Sequence, residues 1–243
     1  MGIRLLTFDL DDTLWEIAPV LVRAEAITHA WLQRHAPAVT ARFSSEELRD
    51  MRLQIARAEP ALAHRVTALR QRGLHLAMQR AGIADGAIAA LVEQAFATFL
   101  HARHDIELFD DAERVLLELK RDFRLGAITN GNFDIARAGL DRYFDFAVNA
   151  EQLARAKPHA EPFLRALAIA DCTAAQCIHI GDDMDNDVRG AQRVGMHTIW
   201  VNRRGLPWNG GSPPSRQIAV LAELPAAVRG IVDSARVNSP HRS

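Results

Sequence analysis

At 243 residues, with 49% hydrophobic and 24% charged side chains, the chain is long enough for one or two cored domains and too apolar to be disordered. Its 29 basic and 30 acidic residues leave a formal net charge of -1, which gives no field to hold a nucleic-acid backbone or an anionic membrane surface. Two cysteines, Cys172 and Cys177, are too few for a disulfide framework or a zinc site. No apolar run approaches the ~20 residues of a membrane span, and Met1-Gly2-Ile3-Arg4 leads into the first apolar segment without the layout of a secretory leader. A cytoplasmic protein is expected, and any anionic ligand must be captured by a local device.

Leu5-Leu6-Thr7-Phe8 reads as a short buried strand that stops at the acidic cluster Asp9-Leu10-Asp11-Asp12. From Pro19 to about His104 the periodicity is helical. Ser44 precedes Ser45-Glu46-Glu47 as an N-cap before acidic first-turn residues, and Pro60 ends that helix. Gly73 and Gly82 punctuate the next helical stretch, and a last helix spans about 88–100. Beyond Leu108, strands and helices alternate. Helices are expected over 111–122, 133–140, 161–169 and 188–194, and strands over 125–128, 146–148, 177–180 and 198–201. Arg203–Ser215 is a Gly/Pro-rich loop, with Arg203-Arg204 facing solvent, and 236–243 is a polar tail. Such alternation predicts an α/β fold with a doubly wound parallel sheet, interrupted after its first strand by an all-helical insert. The expected division is 1–16 with 106–243 as the core and 17–105 as the insert.

Parallel strands bring their carboxyl ends to one edge, and ligands of open α/β sheets bind there. The expected strand ends deliver Asp9 with Asp11, Thr129 with Asn130, and Asp182 with Asp187 just beyond; Lys157 lies in a loop at the same edge. Asp9, Asp11, Asp182 and Asp187 against one lysine are too many like charges to bury together unpaired. A hard divalent cation with all-oxygen ligands, Mg²⁺, resolves that repulsion. With Lys157 and the Thr129 hydroxyl as donors, the set suits phosphoryl transfer, which needs positioning and charge neutralisation. Asp9 is placed to attack phosphorus. Asp11, two residues on along an extended chain, is placed to move the protons, while Leu10 points into the core. The remaining side chains have plainer readings. Asp12 and Thr13 suit a turn, Trp15 suits packing, Asp183 suits a helix N-cap, and the ten histidines suit solvated or hydrogen-bonded roles.

Four motifs taken together resemble the haloacid dehalogenase-like (HAD) hydrolase superfamily: Asp9-Leu10-Asp11-Asp12-Thr13, Thr129-Asn130-Gly131, Lys157-Pro158, and Gly181-Asp182-Asp183 with Asp187. The resemblance spans about residues 4–201, and the helical insert resembles that superfamily's type-one cap. It implies Asp9 as nucleophile and metal ligand, and Asp11 as general acid and base that also offers its backbone carbonyl to the metal. It implies Thr129, Asn130 and Lys157 as phosphate holders, Asp182 as an Mg²⁺ ligand, and Asp187 or Asp183 as the further acid of the metal site.

A narrower resemblance is to a bacterial branch that dephosphorylates FMN and 5-amino-6-(5-phospho-D-ribitylamino)uracil. It rests on Ala58-Glu59-Pro60, His64, Val66-Thr67 and Arg70, with Ile128–Asn132 and His179–Asp183, and it points to His64 and Arg70 as contacts to the organic part of the substrate. The expected function is therefore a Mg²⁺-dependent phosphatase of a small-molecule phosphate ester, with no nucleic-acid or membrane partner. Sugar phosphates and nucleoside monophosphates are alternative substrates. A 2-haloacid dehalogenase would lack the second acid and the metal, and a non-catalytic module would have lost a motif residue. If the insert closes over the site, 16–19 and 105–110 are the expected hinges. No heptad pattern marks an oligomer, so the sequence leaves the oligomeric state open.

Overall fold

A computed structural model describes residues 2–62, 64–153 and 155–237. The chain forms two compact units, one made of the residues up to Glu16 together with those from Glu107 onward, the other of Ile17–Ile106. The first strand, β1 (Leu5–Phe8), is buried along its whole length.

The unit Ile17–Ile106 is all helical. It comprises α1 (Ile17–His35), α2 (Pro37–Arg42), α3 (Ser45–Ala58), α4 (Val66–Arg80) and α5 (Asp85–Arg103). Pro19 sits in the first turn of α1, where its missing N–H would have had no helical partner. The expected start of α3 is a full capping box: Ser44 Oγ accepts from Glu47 N–H at 3.2 Å, and Ser44 N–H donates to Glu47 Oε2 at 2.7 Å. Gly73 does not break its helix; it is buried inside α4, and a side chain there would collide with the stem of Arg52. Leu32, Val39, Ile55, Leu74, Met78 and Val92 form the core of this unit.

The other unit continues with α6 (Ala112–Leu119), β2 (Arg124–Thr129), β3 (Phe146–Asn149), α7 (Ala160–Ala170), β4 (Cys177–Gly181), α8 (Gly190–Arg193), β5 (His197–Val201), β6 (Arg216–Ile218) and α9 (Leu224–Val237). All six strands pair in parallel in the order β3-β2-β1-β4-β5-β6, the doubly wound arrangement that the alternation predicts. Phe163, Ala166, Leu167 and Ala170 of α7 pack on Leu5, Ile128, Val148 and Cys177 of the sheet, so the strands β1, β2 and β4 are buried and read as apolar runs.

Three expectations are corrected. Residues 133–140 are turns rather than a helix. The Asp134 carboxylate accepts from Ala136 N–H at 2.9 Å, competing with helical pairing, and Gly139 at φ +69° closes the segment. The helix expected over 188–194 starts earlier, with a π-helical turn at Met184–Arg189 leading into the short α8. There Asp183 Oδ1 caps the N–H groups of Asp185 and Asn186 at 2.8 and 2.7 Å. After the Gly/Pro loop come an unexpected edge strand, β6, and an unexpected helix, α9, which includes positions 236 and 237 of the expected tail; residues 238–243 lie outside the described residues. Arg203 is exposed, as expected, and its guanidinium lies over the Phe109 ring at 3.6 Å.

Candidate active site

Each strand of the centre of the sheet ends in a polar residue at the same edge. Asp9 follows β1, Thr129 ends β2, and Asp182 follows β4. A pocket of about 180 Å³ is lined there by Asp9, Asp11, Thr129, Asn130, Lys157, Asp182 and Asp187. These are the residues that the sequence assigns to catalysis, phosphate and metal, apart from His64 and Arg70. Both of those belong to the helical unit. Arg70 is engaged there: its guanidinium is 3.5 Å from Glu25, which also pairs with Arg52, and it lies 3.4 Å over the Phe99 ring. Burial among these charges pushes the Arg70 pKa down to about 9. His64 is half-buried in the turn before α4.

The turn after β1 aims the first two acids. Asp12 takes a left-handed φ of 59°, its N–H donates to Trp15 O at 2.8 Å, and Leu14 N–H donates to Leu10 O at 2.9 Å. Leu10 is fully buried, as the two-residue alternation requires. Trp15, also fully buried, packs on Phe133 with ring centroids 4.6 Å apart and planes tilted by 36°, and donates its indole N–H to Asp11 Oδ1 at 3.0 Å. Thr13 Oγ1 donates to Asp9 Oδ2 at 3.1 Å and lies 3.3 Å from Asp182 Oδ1, so it ties two carboxylates together.

Lys157 is buried, and its ammonium donates to Asp9 Oδ1 and to Asp187 Oδ1, both at 2.7 Å. Its backbone is clamped by Asn130, whose amide donates to Lys157 O at 3.0 Å and accepts from Lys157 N–H at 2.9 Å. The amide expected to face phosphate is thus engaged in fixing the lysine. Thr129 Oγ1, 1% exposed, accepts from Gly131 N–H at 3.0 Å. Asp187 accepts three hydrogen bonds, from Lys157, from His179 at 3.2 Å and from Asp183 N–H at 3.1 Å. The close packing depends on Gly181: a Cβ there would lie 2.3 Å from Asp187 Cγ.

Electrostatically the pocket is overloaded. Among the described residues that line it, six aspartates, counting Asp12 and Asp183, share it with Lys157 as the one cationic side chain. Burial raises the Asp9 pKa well above the usual carboxylate range, with Lys157 opposing and Asp187 adding to the shift. Burial and the charges of Asp187, Asp12 and Asp183 push Asp182 up to about 7. Burial would raise Asp187 too, but Lys157 and His179 outweigh it and hold the group ionised, well below its usual value. Lys157 in turn is held firmly protonated by Asp187 and Asp9 against the effect of burial.

Carboxylate oxygens of Asp9, Asp182 and Asp187 all lie within 4.8 Å of one another. An all-oxygen anionic set of that span, with two of its acids pushed toward protonation, fits a hard divalent cation. These three would hold it.

Thr13, Trp15 and His179 are the site residues that the sequence reading leaves as turn, packing and generic hydrogen-bonding positions. The available signals were weak: Thr13 and Trp15 each stand four residues after an acid they serve, and His179 is an imidazole inside an otherwise apolar buried strand.

A family model described as haloacid dehalogenase-like hydrolase matches residues 3–195. The chain belongs to that family. It is 33% identical over 230 residues to the 5-amino-6-(5-phospho-D-ribitylamino)uracil phosphatase YigB of Escherichia coli, covering 93% of this chain and 96% of that protein. Among solved structures, a 2-haloacid dehalogenase from Pseudomonas syringae pv. Tomato aligns with a TM-score of 0.88 and 40% identity, covering 94% of this chain and 99% of that one. The HAD-hydrolase YfnB of Bacillus subtilis, solved bound to magnesium, aligns with a TM-score of 0.64 at 25% identity, over 94% of this chain and all of that one.

Proposed function

We propose that the chain is a magnesium-dependent phosphomonoester hydrolase that works through a phosphorylated Asp9. The observation that carries the reading is the crowding of Asp9, Asp182 and Asp187 carboxylates around Lys157, with Asp11 on the same pocket wall. Asp9 attacks phosphorus as the ester oxygen leaves, and Asp11 gives that oxygen its proton. Asp11 then takes a proton from the water that displaces Asp9 from phosphorus. Trp15 holds and orients the Asp11 carboxylate through Oδ1. Lys157 and the Thr129 hydroxyl receive the phosphoryl oxygens. Bound magnesium supplies neutralisation of the carboxylates and of the phosphoryl charge, with Asp9, Asp182, Asp187 and the Asp11 carbonyl as its protein ligands.

For the substrate we infer FMN or 5-amino-6-(5-phospho-D-ribitylamino)uracil, a place in riboflavin metabolism supported by the likeness to YigB over nearly all of both chains. We assign the unit Ile17–Ile106 the part of the cap, selecting the organic moiety, with His64 as its candidate contact and Arg70 as a residue that orders the unit. The free thiols of Cys172 and Cys177 support a reducing, cytoplasmic setting, and among the described residues no helix is long and apolar enough to cross a membrane. A screen of phosphate release over FMN, the ribitylamino-uracil phosphate, sugar phosphates and nucleotides tests this. Magnesium-dependent release from the flavin-type esters supports the full reading, and release from other esters alone keeps the chemistry and removes the substrate.

The name of the Pseudomonas syringae structure favours a second reading, carbon–halogen cleavage. The site opposes it, because a departing halide needs neither the proton that Asp11 is placed to give nor a cation-binding acid trio. Halide release from 2-haloacids that persists in EDTA would replace the phosphatase with the dehalogenase.

A further inference from the structure

Behind Asp187 a line of buried side chains runs away from the pocket. His179 on β4 is 1% exposed and is absent from the pocket lining. Its Nε2 lies 3.2 Å from Asp187 Oδ1, and its Nδ1 lies 2.9 Å from Thr7 Oγ1 on β1. The Thr7 hydroxyl is in turn 3.7 Å from Cys177 Sγ, and Phe163 of α7 packs against the imidazole at 5.1 Å in an edge geometry of 86°.

The proton arrangement follows from what each atom can do. The Asp187 carboxylate, held ionised by Lys157, can only accept, so His179 Nε2 must donate to it. With the single proton of a neutral imidazole on Nε2, Nδ1 offers a lone pair and accepts the Thr7 hydroxyl proton at 2.9 Å. That leaves a Thr7 lone pair facing the Cys177 thiol. The opposite tautomer would aim an Nε2 lone pair at a carboxylate in a buried, low-dielectric setting, where such repulsion is costly. Thr7 thus fixes the tautomer, and the tautomer fixes the acid.

We propose that His179 is a positioning residue for phosphoryl transfer: held by Thr7, its Nε2–H pins Asp187 where Asp187 and Asp9 share the Lys157 ammonium. The proposal rests on the phosphatase reading of Asp9 and Lys157. Its consequence is geometric. Without the imidazole donor, Asp187 Oδ1 keeps only the lysine, the carboxylate is free to turn on its Asp183 contact, and Lys157 loses its fixed place beside the nucleophile. Outer partners of this kind are worth about 10–100-fold in activity.

Two isosteric substitutions separate this role from simple core filling. In His179→Gln the amide reaches the position of Nε2 and can still donate to Asp187. In His179→Asn the amide stops at the position of Nδ1, reaching Thr7 and not Asp187. Kinetics on the best phosphate ester should show Asn losing about 10–100-fold in kcat with KM within about threefold, and Gln recovering most of the loss. Equal losses in the two variants, or wild-type turnover in a folded Asn variant, overturn the proposal.

A second readout is independent of turnover. Nitrogen NMR of the imidazole in the metal-free wild-type protein near neutral pH should show a protonated Nε2 and a bare Nδ1. A protonated Nδ1 with a bare Nε2 overturns the assignment whatever the kinetics give, whereas a wild-type protein that hydrolyses no phosphate ester refutes the phosphatase reading instead.

Discussion

Gly181→Ala is a one-carbon change whose effect can be worked from the contacts at the site. An ideal Cβ at Gly181 would stand 2.3 Å from Asp187 Cγ and 2.4 Å from its Oδ2. Ordinary contact needs well over 3 Å, so the Asp187 carboxylate must move by about 1 Å. Bonds of 2.7 Å to Lys157, 3.2 Å to His179 and 3.1 Å to Asp183 N–H cannot all survive such a shift. Overpacking costs about 1–3 kcal/mol, and a weakened buried ion pair adds to that cost. A loss of about 3 kcal/mol lowers the melting temperature of a unit this size by roughly 6–12 °C. Lys157 moves with its partner, and a misplacement near 1 Å costs about 100-fold in kcat. Calorimetry and steady-state kinetics of the purified variant measure both. A variant with wild-type melting temperature and turnover would show that Asp187 does not pack on Gly181, and the assignment of Asp187 to the lysine would fall with it.

Magnesium and pH should be linked through Asp182. Its folded pKa of about 7 stands above the ordinary 3.8, so charging this group destabilises the metal-free protein as pH rises through that window. Magnesium favours the ionised form, so the rise in melting temperature on adding it should grow between about pH 5.5 and about pH 8; a constant or shrinking increment refutes the assignment. Trp15→Phe keeps the ring on Phe133 but removes the indole donor to Asp11, and should lower kcat roughly tenfold with KM unchanged. Equal kcat would separate Trp15 from the proton-transfer step. Glu25→Gln leaves Arg52 and the largely buried Arg70 without their shared counter-charge, and should cost about 1–3 kcal/mol in denaturant titrations. No change would mean that the two guanidiniums are satisfied elsewhere.

The acids were legible because they are chemical anomalies. Asp9 and Asp182 end apolar strands, and alternation of strands and helices says those ends converge, which needs no knowledge of side-chain geometry. Lys157 was legible only in company, since nothing local distinguishes a Lys-Pro step from a loop. What escaped the sequence lives in hydrogen bonds between distant or closely spaced atoms. Thr13 reads as a turn residue until its hydroxyl is seen between two carboxylates, and His179 reads as a strand residue until Thr7 and Asp187 appear on either side of it. The segment 133–140 misled for the opposite reason. Its apolar spacing suits a helix, but the Asp134 side chain competes for the same N–H groups and wins locally. The edge strand β6 is three residues with two exposed polar side chains, too little pattern to register.

Asp9 is the nucleophile that becomes phosphorylated in the proposed mechanism. Rapid acid quench of the enzyme turning over a radiolabelled phosphate ester, followed by peptide mapping, tests it directly. The label should be acid-stable, lost to hydroxylamine, confined to the peptide containing Asp9, and absent from Asp9→Asn. Label on another residue, or undiminished phosphate release by Asp9→Asn, would contradict the mechanism.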